Sequence, residues 1–226
     1  MRNEDLQLEG LTAAARSILE DLARHGPSPD DIARAVRKAC AQAPDLPSAL
    51  VAALVRELEG AARPVMVAAC GSGSETLARG RFGSASKIYT VEDSRQALAS
   101  CRSGGRAVIS MDRDPWWARL LAEPKLSVID DFLGRDALKP VALAVAPVWS
   151  EPSGADRTWW ATDATETTED IQTILGKLGL SGREAFRAGG MRLFALDGYV
   201  QPHDDRLAQA PGRLSGVIGA VPLIET

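Results

Sequence analysis

"VMVAACGSGSETLARGRFG", residues 65–83, decides how the rest of the chain is read. The run opens with apolar residues that suit a short buried strand. Glycines and hydroxyls from Cys70 to Ser74 break the run, and "ETLARGRF" then has a helical composition. Strand, glycine loop and helix in that order form the opening unit of an open α/β sheet. The first N–H groups of a helix also attract anions. The loop lacks the Gly-Lys-Ser/Thr of a nucleotide phosphate loop and the third glycine of a dinucleotide fingerprint. Two readings stay open. Ser72, Ser74 and the helix N–H groups receive a carboxylate, or Ser74 caps the helix with Glu75 in its first turn, which needs no ligand.

Working outward, "KIYTV", "AVISM", "LSVID" and "VALAVA" repeat the short, β-branched pattern through residue 146, with helix-like pieces between them. Strands alternating with helices predict an α/β segment over residues 64–150. Residues 1–62 carry a helical period instead. Leu8, Leu11, Ala15, Ile18 and Leu22 form one stripe, Ile32, Ala35, Val36, Ala39 and Cys40 a second, and Leu50, Val51, Leu54, Val55 and Leu58 a third. Ser28, Pro29, Asp30 and Asp31 read as the start of the second helix. After the turn-rich "EPSGAD", residues 156–226 read as βαββαβ, a ferredoxin-like unit, with "TEDIQTILGKLGL" and "DDRLAQAPGRL" as its helices and "AGG" at 188–190 as its central turn.

Composition narrows the function. The 226 residues are 45% hydrophobic and 25% charged, with net charge −4 and no Lys/Arg block, so nucleic acid is not an expected partner. The longest apolar run is too short to cross a bilayer, and the N-terminal residues have no secretory h-region, so a cytoplasmic protein with no membrane partner is expected. Cys40, Cys70 and Cys101 are far apart and read as reduced thiols, and His25 and His203 have no ligand-spaced partners, so no metal or other cofactor is expected. Asp112, Asp114, Asp130 and Asp131 read as solvated turn carboxylates. The pairs Trp116-Trp117 and Trp159-Trp160 point in different directions on any regular element, which would leave one of each pair exposed; packing between domains or subunits is the expected use, with a flat apolar ligand shelf as the alternative.

The order of parts resembles the bacterial bifunctional chorismate mutase–prephenate dehydratase family, and is more similar to its short chorismate-mutase-like relatives. "ALVAALVRELEGAA" (49–62) resembles the end of the mutase helices, and residues 65–83 resemble the start of the dehydratase domain. "DRTWWATD" (156–163) is similar to the segment with the catalytic threonine, here Thr158, and "FALDGYV…DDRLAQA…GVIGAVP" to the close of an ACT domain. The resemblance implies a helical mutase-like segment, a periplasmic-binding-protein-like α/β lobe and an ACT-like unit. It also implies a role in aromatic amino acid biosynthesis, a homodimer, and a small aromatic carboxylate as ligand: chorismate, prephenate or an aromatic amino acid. Arg24, Arg34, Arg37 and Arg56 are then the candidate contacts for a dianionic substrate, whose rearrangement needs only positioning and charge stabilisation.

The chain departs from that family at informative places. Residues 64–150 have room for one dehydratase lobe. Ser110 and Arg113 replace the family's Pro and Asn around Asp112, Trp159 replaces the Arg after the catalytic threonine, and "REAFRAGG" lacks the effector-binding segment. A cleft needs both walls. Degenerate active sites are therefore expected, with mutase activity as the surviving chemistry if any survives. The alternatives are a non-catalytic sensor of an aromatic amino acid or related carboxylate, and a dimeric scaffold.

Overall fold

The computed structural model describes residues 28–42, 47–62, 64–112, 114–134 and 139–223, with 12, 13, 15–17, 20 and 44 besides. Arg24 and, Ala15 apart, the stripe from Leu8 to Leu22 lie outside the described residues. Two helices, α1 (Pro29–Gln42) and α2 (Ser48–Ala62), lead into β1 (Met66–Cys70), α3 (Ser74–Phe82), β2 (Lys87–Val91), α4 (Ser94–Arg102) and β3 (Arg106–Ser110). A 3-10 helix at Trp116–Ala122 precedes β4 (Ser127–Leu133) and β5 (Pro140–Ala146). Then come β6 (Asp156–Thr162), α5 (Thr168–Lys177), β7 (Gly182–Ala188), β8 (Met191–Asp197) and β9 (Ser215–Pro222).

All nine strands join one mixed sheet in the order β2-β1-β3-β5-β4-β9-β6-β8-β7. The three strands β2, β1 and β3 are parallel, as the strand–helix alternation predicts, and β3, β5 and β4 are antiparallel neighbours. The last four strands take the order of a ferredoxin-like unit, β9-β6-β8-β7. One helix of that unit is missing. In place of the helix expected over 204–214 the chain has a single 3-10 turn, Leu207–Gln209. The segment beyond it bends and is pinned to the end of β6. Thr162 Oγ1 donates to Pro211 O, and the Asp163 carboxylate accepts from the N–H groups of Arg213 and Leu214. A proline and backbone bonds to β6 leave no helical hydrogen-bond ladder to build.

The two halves meet where β9 runs parallel to β4 at Val128 and Gly219. On its other side β9 pairs with β6 through a register shift between Trp159 and Trp160. The seam makes the sheet continuous across "EPSGAD".

Both faces of the sheet are covered, so no tryptophan of the two pairs is left exposed, and Trp116, Trp117 and Trp159 pack between the two halves, as expected of an interdomain contact. Trp159 points to the face shared with Ala68, Ile109, Leu143 and Leu193, under α4 and the 3-10 helix that carries Trp116 and Trp117. Trp160 points to the other face, under α5, among Ile171, Leu175 and Phe194. All four indoles are fully buried: Trp159 and Trp160, adjacent on a strand, face opposite layers that are both cores, and Trp116 and Trp117 cover one of those layers from the 3-10 helix. A third cluster beneath α3, with Val67, Phe82, Val108 and Ala144, fills the remaining face.

Asp130 and Asp131 are corrected in the same way. They are strand residues on β4 and not solvated turn carboxylates. Asp130 pairs with the buried Arg81, and Asp131 with Arg157 at 3.0 Å. Burial pushes Asp131 up to about 6, against the pull of Arg157.

Helix starts follow local rules. Ser28 caps α1: its hydroxyl accepts from the Asp31 N–H and donates to the Asp31 carboxylate at 2.7 Å. α5 starts at Thr168, the first residue of the expected helix, and Thr167 caps it by accepting from the Asp170 N–H. Thr168 instead donates to Glu184 Oε2 (2.6 Å) and accepts from Arg192 at 2.8 Å. Burial alone would raise the Glu184 pKa, but hydrogen bonds from Arg187, Arg192 and Thr168 and the charge of Arg192 hold it at about 2. Its pKa when unfolded is near 4.5. Because the folded value is the lower one, the contribution is present above pH 4.5 and is lost as pH falls toward 2. Unfolding free energy measured against pH should fall across that window in the wild-type chain. In Glu184→Gln the fall should be shallower, and an unchanged slope would remove Glu184 as its source.

Candidate functional site: the crevice at the ends of β1 and β3

In an open α/β sheet, ligands bind beyond the carboxyl ends of parallel strands, where successive connections leave in opposite directions. Here that point lies between β1 and β3, since the chain crosses from β1 to β2 on one side and returns to β3 on the other. Gly71 ends β1 with φ +88°, and a Cβ there would lie 1.8 Å from Ser110 Oγ and 2.9 Å from Asp112 Oδ2. Only glycine lets the two strand ends close so tightly. The Ser110 hydroxyl donates to Asp112.

The loop does not work as a capping residue would make it work. The N-cap of α3 is Gly73, in the left-handed region, and no side chain caps the helix. Ser74 is the first helical residue, is fully buried, and its hydroxyl donates back to Cys70 O at 2.7 Å. Ser74 is thus spent on its own strand. Ser72 is exposed, with no side-chain hydrogen bond among the described residues.

Charge around this loop is negative. Asp112 and Asp114 are exposed after β3, and Asp93 caps α4 by accepting from the Gln96 N–H at 2.9 Å. Burial, followed by the charges of Asp93, Asp112 and Asp114, pushes the Cys70 thiol upward. That leaves Cys70 protonated and poorly nucleophilic. Cys101, deep under the sheet, is pushed up to about 12 by burial.

Facing the end of β3 is the β7–β8 hairpin. Its turn, Gly189 and Gly190, adopts positive φ as "AGG" predicts, and Gly189 packs against Pro115. A cleft of about 390 Å³ lies between them, lined by Met111, Asp112, Phe186, Arg187 and Ala188. Arg187 is exposed and pairs with Glu184 at 2.7 Å. The cleft therefore offers an apolar floor and a carboxylate on one wall, while the Arg187 guanidinium stands with Glu184 on the face that α5 covers. The sequence marks Asp112 only as a solvated turn carboxylate and does not single out Met111, Phe186 or Arg187. Strand-end position would have singled out 110–112. Nothing local marks Phe186 or Arg187, which tertiary folding brings across.

The remaining predicted site residues are placed elsewhere. Thr158 is fully buried in β6. Its hydroxyl donates to Gly198 O (2.8 Å) and accepts from the Val200 N–H (2.9 Å), fastening the chain after β8. Thr158→Val should cost about 1–3 kcal/mol in chemical denaturation by orphaning both backbone groups, while Thr158→Ser should cost under about 1 kcal/mol. Equal stability of the valine variant and the wild type would show that the hydroxyl fastens nothing. Arg34 is tied to Asp30 and Asp31 on its own helix. Arg37 reaches from α1 to Leu223 O (3.2 Å) and Ser153 O. Arg56 sits half-buried and engaged on α2. The structure does not gather these arginines at the loop of Ser72 and Ser74.

No family model matches the chain, and no curated protein matches it. Among solved structures, a quorum-quenching acylase of a novel type is similar at 13% identity and TM-score 0.47, over 70% of this chain and 95% of that one. Prephenate dehydratase from Arthrobacter aurescens, solved with L-Phe, is similar at 12% identity and TM-score 0.46, over 71% of this chain and 90% of that one. No helix among the described residues is long and apolar enough to cross a membrane.

Proposed function

We propose that this protein binds an aromatic amino acid in the cleft between β3 and the β7–β8 hairpin and does not transform it. In this reading it is a sensor derived from the chorismate mutase–prephenate dehydratase lineage, acting as a homodimer in aromatic amino acid biosynthesis. The observation that carries it is the charge of the crevice. Asp93, Asp112 and Asp114 border the loop that would have to receive a substrate carboxylate. Chorismate and prephenate are dianions, and carboxylates at close range repel them. A zwitterion suits the same groups. Its ammonium meets Asp112, and its ring lies on Phe186 and Met111. Catalysis lacks its instruments here, because the Thr158 hydroxyl is spent on backbone and Arg37 on carbonyl oxygens.

Thermal unfolding with phenylalanine, tyrosine, tryptophan, chorismate and prephenate tests the reading. An aromatic amino acid should raise Tm with concentration, by the equivalent of about 2.7 kcal/mol at a hundred times its Kd. Asp112→Asn should weaken binding about tenfold, the loss of one charge-assisted contact. Consumption of chorismate or prephenate above the uncatalysed rate, or flat curves for all three amino acids, would overturn it.

A further inference from the structure

The seam between the two halves of the sheet is thin in its backbone. β4 and β9 meet in register only at Val128 and Gly219, and both strands then run on in parallel. Beyond that pair a side chain spans the gap. Arg157 on β6, opposite Val221 of β9, reaches over β9 and donates from Nη1 to Asp131 on β4 at 3.0 Å. We propose that Asp131 and Arg157 are a proton-released latch: the ion pair ties β6 to β4 while Asp131 is charged, and lets go when Asp131 takes up a proton.

The surroundings of Asp131 put its neutral form within reach. Its carboxylate is 6% exposed and accepts one hydrogen bond among the described residues, that of Arg157. A buried carboxylate with a single donor is poorly supplied. Asp130, the preceding residue, is better served. It turns to the other face, where it takes Arg81 of α3, and it accepts the Asp131 N–H at 2.9 Å. The charge of Asp130 opposes that of Asp131. β5 sets Leu143 beside Asp131, and β9 sets Val221 beside Arg157, and neither side chain can donate. The Trp159 indole N–H favours the charged form but stands outside hydrogen-bonding geometry. Burial is the largest of these influences and the attraction of Arg157 the next, which leaves the Asp131 pKa at about 6.

Arg157 has a second partner waiting. Asp197 lies directly opposite it on β8, in the same half of the sheet, and accepts the Ser181 hydroxyl at 2.6 Å. Asp156, beside Arg157 in the chain, is taken by Ser153. Directly opposed strand residues share a face and interact. A neutral Asp131 therefore leaves Arg157 to Asp197, and the tie then lies within the C-terminal half instead of across the seam. The walls of the amino acid cleft, Asp112 and Phe186, belong to different halves, so the open latch lets them shift. Overall stability moves the other way. The folded value of Asp131, about 6, lies above the ordinary 3.8, so the folded chain gains stability as pH falls through that window while the seam loosens.

Nuclear magnetic resonance of the full chain between about pH 5 and about pH 7.5, a window above the ordinary carboxylates, tests the latch. The Asp131 carboxyl carbon and the Trp159 indole N–H should titrate together with a midpoint of about 6. Seam-facing amides of β4 and β9 should lose protection against hydrogen exchange as pH falls through that midpoint, once the intrinsic rate is divided out. Amides between β1 and β3 should keep theirs. In Asp131→Asn, neutral at every pH, the indole should not titrate, and the seam should be as poorly protected at the upper pH as the wild type is at the lower. An Asp131 carboxyl that stays charged across the window, seam protection that ignores the titration, or full protection in Asp131→Asn would each overturn the proposal. The wild-type curves decide by themselves if the variant does not fold. No ligand enters the experiment, so its result stands apart from that of the amino acid cleft.

Discussion

Gly219→Ala is expected to destabilise the protein by at least about 3 kcal/mol, or to prevent it from folding. A Cβ at this position would lie 2.3 Å from Val128 O, 2.4 Å from Val128 N and 2.8 Å from Val128 Cα. All three atoms are backbone, so no rotamer change relieves the overlap. Nor can β9 move aside, because its other edge is paired with β6 along its length and locked by the register shift at Trp159 and Trp160. The overlap falls on the seam that joins the two halves of the sheet. Opening the seam would also expose the core around Trp159. Gly80→Ala is the control. Gly80 lies in α3 with nothing within 4 Å of an added Cβ, so alanine there should stabilise by about 0.5–1 kcal/mol. Urea denaturation of both variants reads the difference, and a Gly219→Ala cost under about 1 kcal/mol would mean the seam does not hold the halves together.

Trp117→Ala should cost about 3–5 kcal/mol, since the indole is fully buried in the core cluster shared by the two halves of the sheet and its removal leaves a cavity. The phenylalanine variants of the neighbouring pair are more discriminating. Trp116 Nε1 donates to Ser110 O at 2.8 Å, so Trp116→Phe removes packing and also a buried hydrogen bond at the strand end beside Asp112. Trp117 Nε1 is buried with no hydrogen-bond partner among the described residues. Replacing Trp117 by Phe therefore removes an unsatisfied donor together with the lost contacts. Trp117→Phe should be milder than Trp116→Phe by about 1 kcal/mol. The reverse order in denaturation would show that the Trp117 N–H is satisfied in solution.

How far each feature could be read depended on the range of the interactions behind it. Ser28 before Asp31, and glycines at 189 and 190, are determined by bonds within three or four residues, and both fell where expected. α5 starts at Thr168 as its local sequence indicates, but that the Thr168 hydroxyl is taken by Glu184 and Arg192 is decided by the neighbouring strands. The loop of Ser72 and Ser74 was placed correctly between a strand and a helix, yet its chemistry was not legible. Its polarity is set by Asp93, Asp112 and Asp114, which reach it from two other strand ends.

By itself the sequence determined the local periods: three parallel strands alternating with helices, a four-stranded C-terminal unit, the turns, and several caps. These depend on side-chain alternation, β-branching and glycine, which act within one element. Tertiary structure alone decided that the strands form one sheet, that four tryptophans vanish into two opposed cores, and that Asp130 and Asp131 become strand ion pairs. It also decided which residues face the crevice, since Met111 and Phe186 are far apart in the chain and meet only when the β7–β8 hairpin folds against Pro115. Burial and charge at a site sum over every element that packs there, and no single stretch of sequence carries that sum.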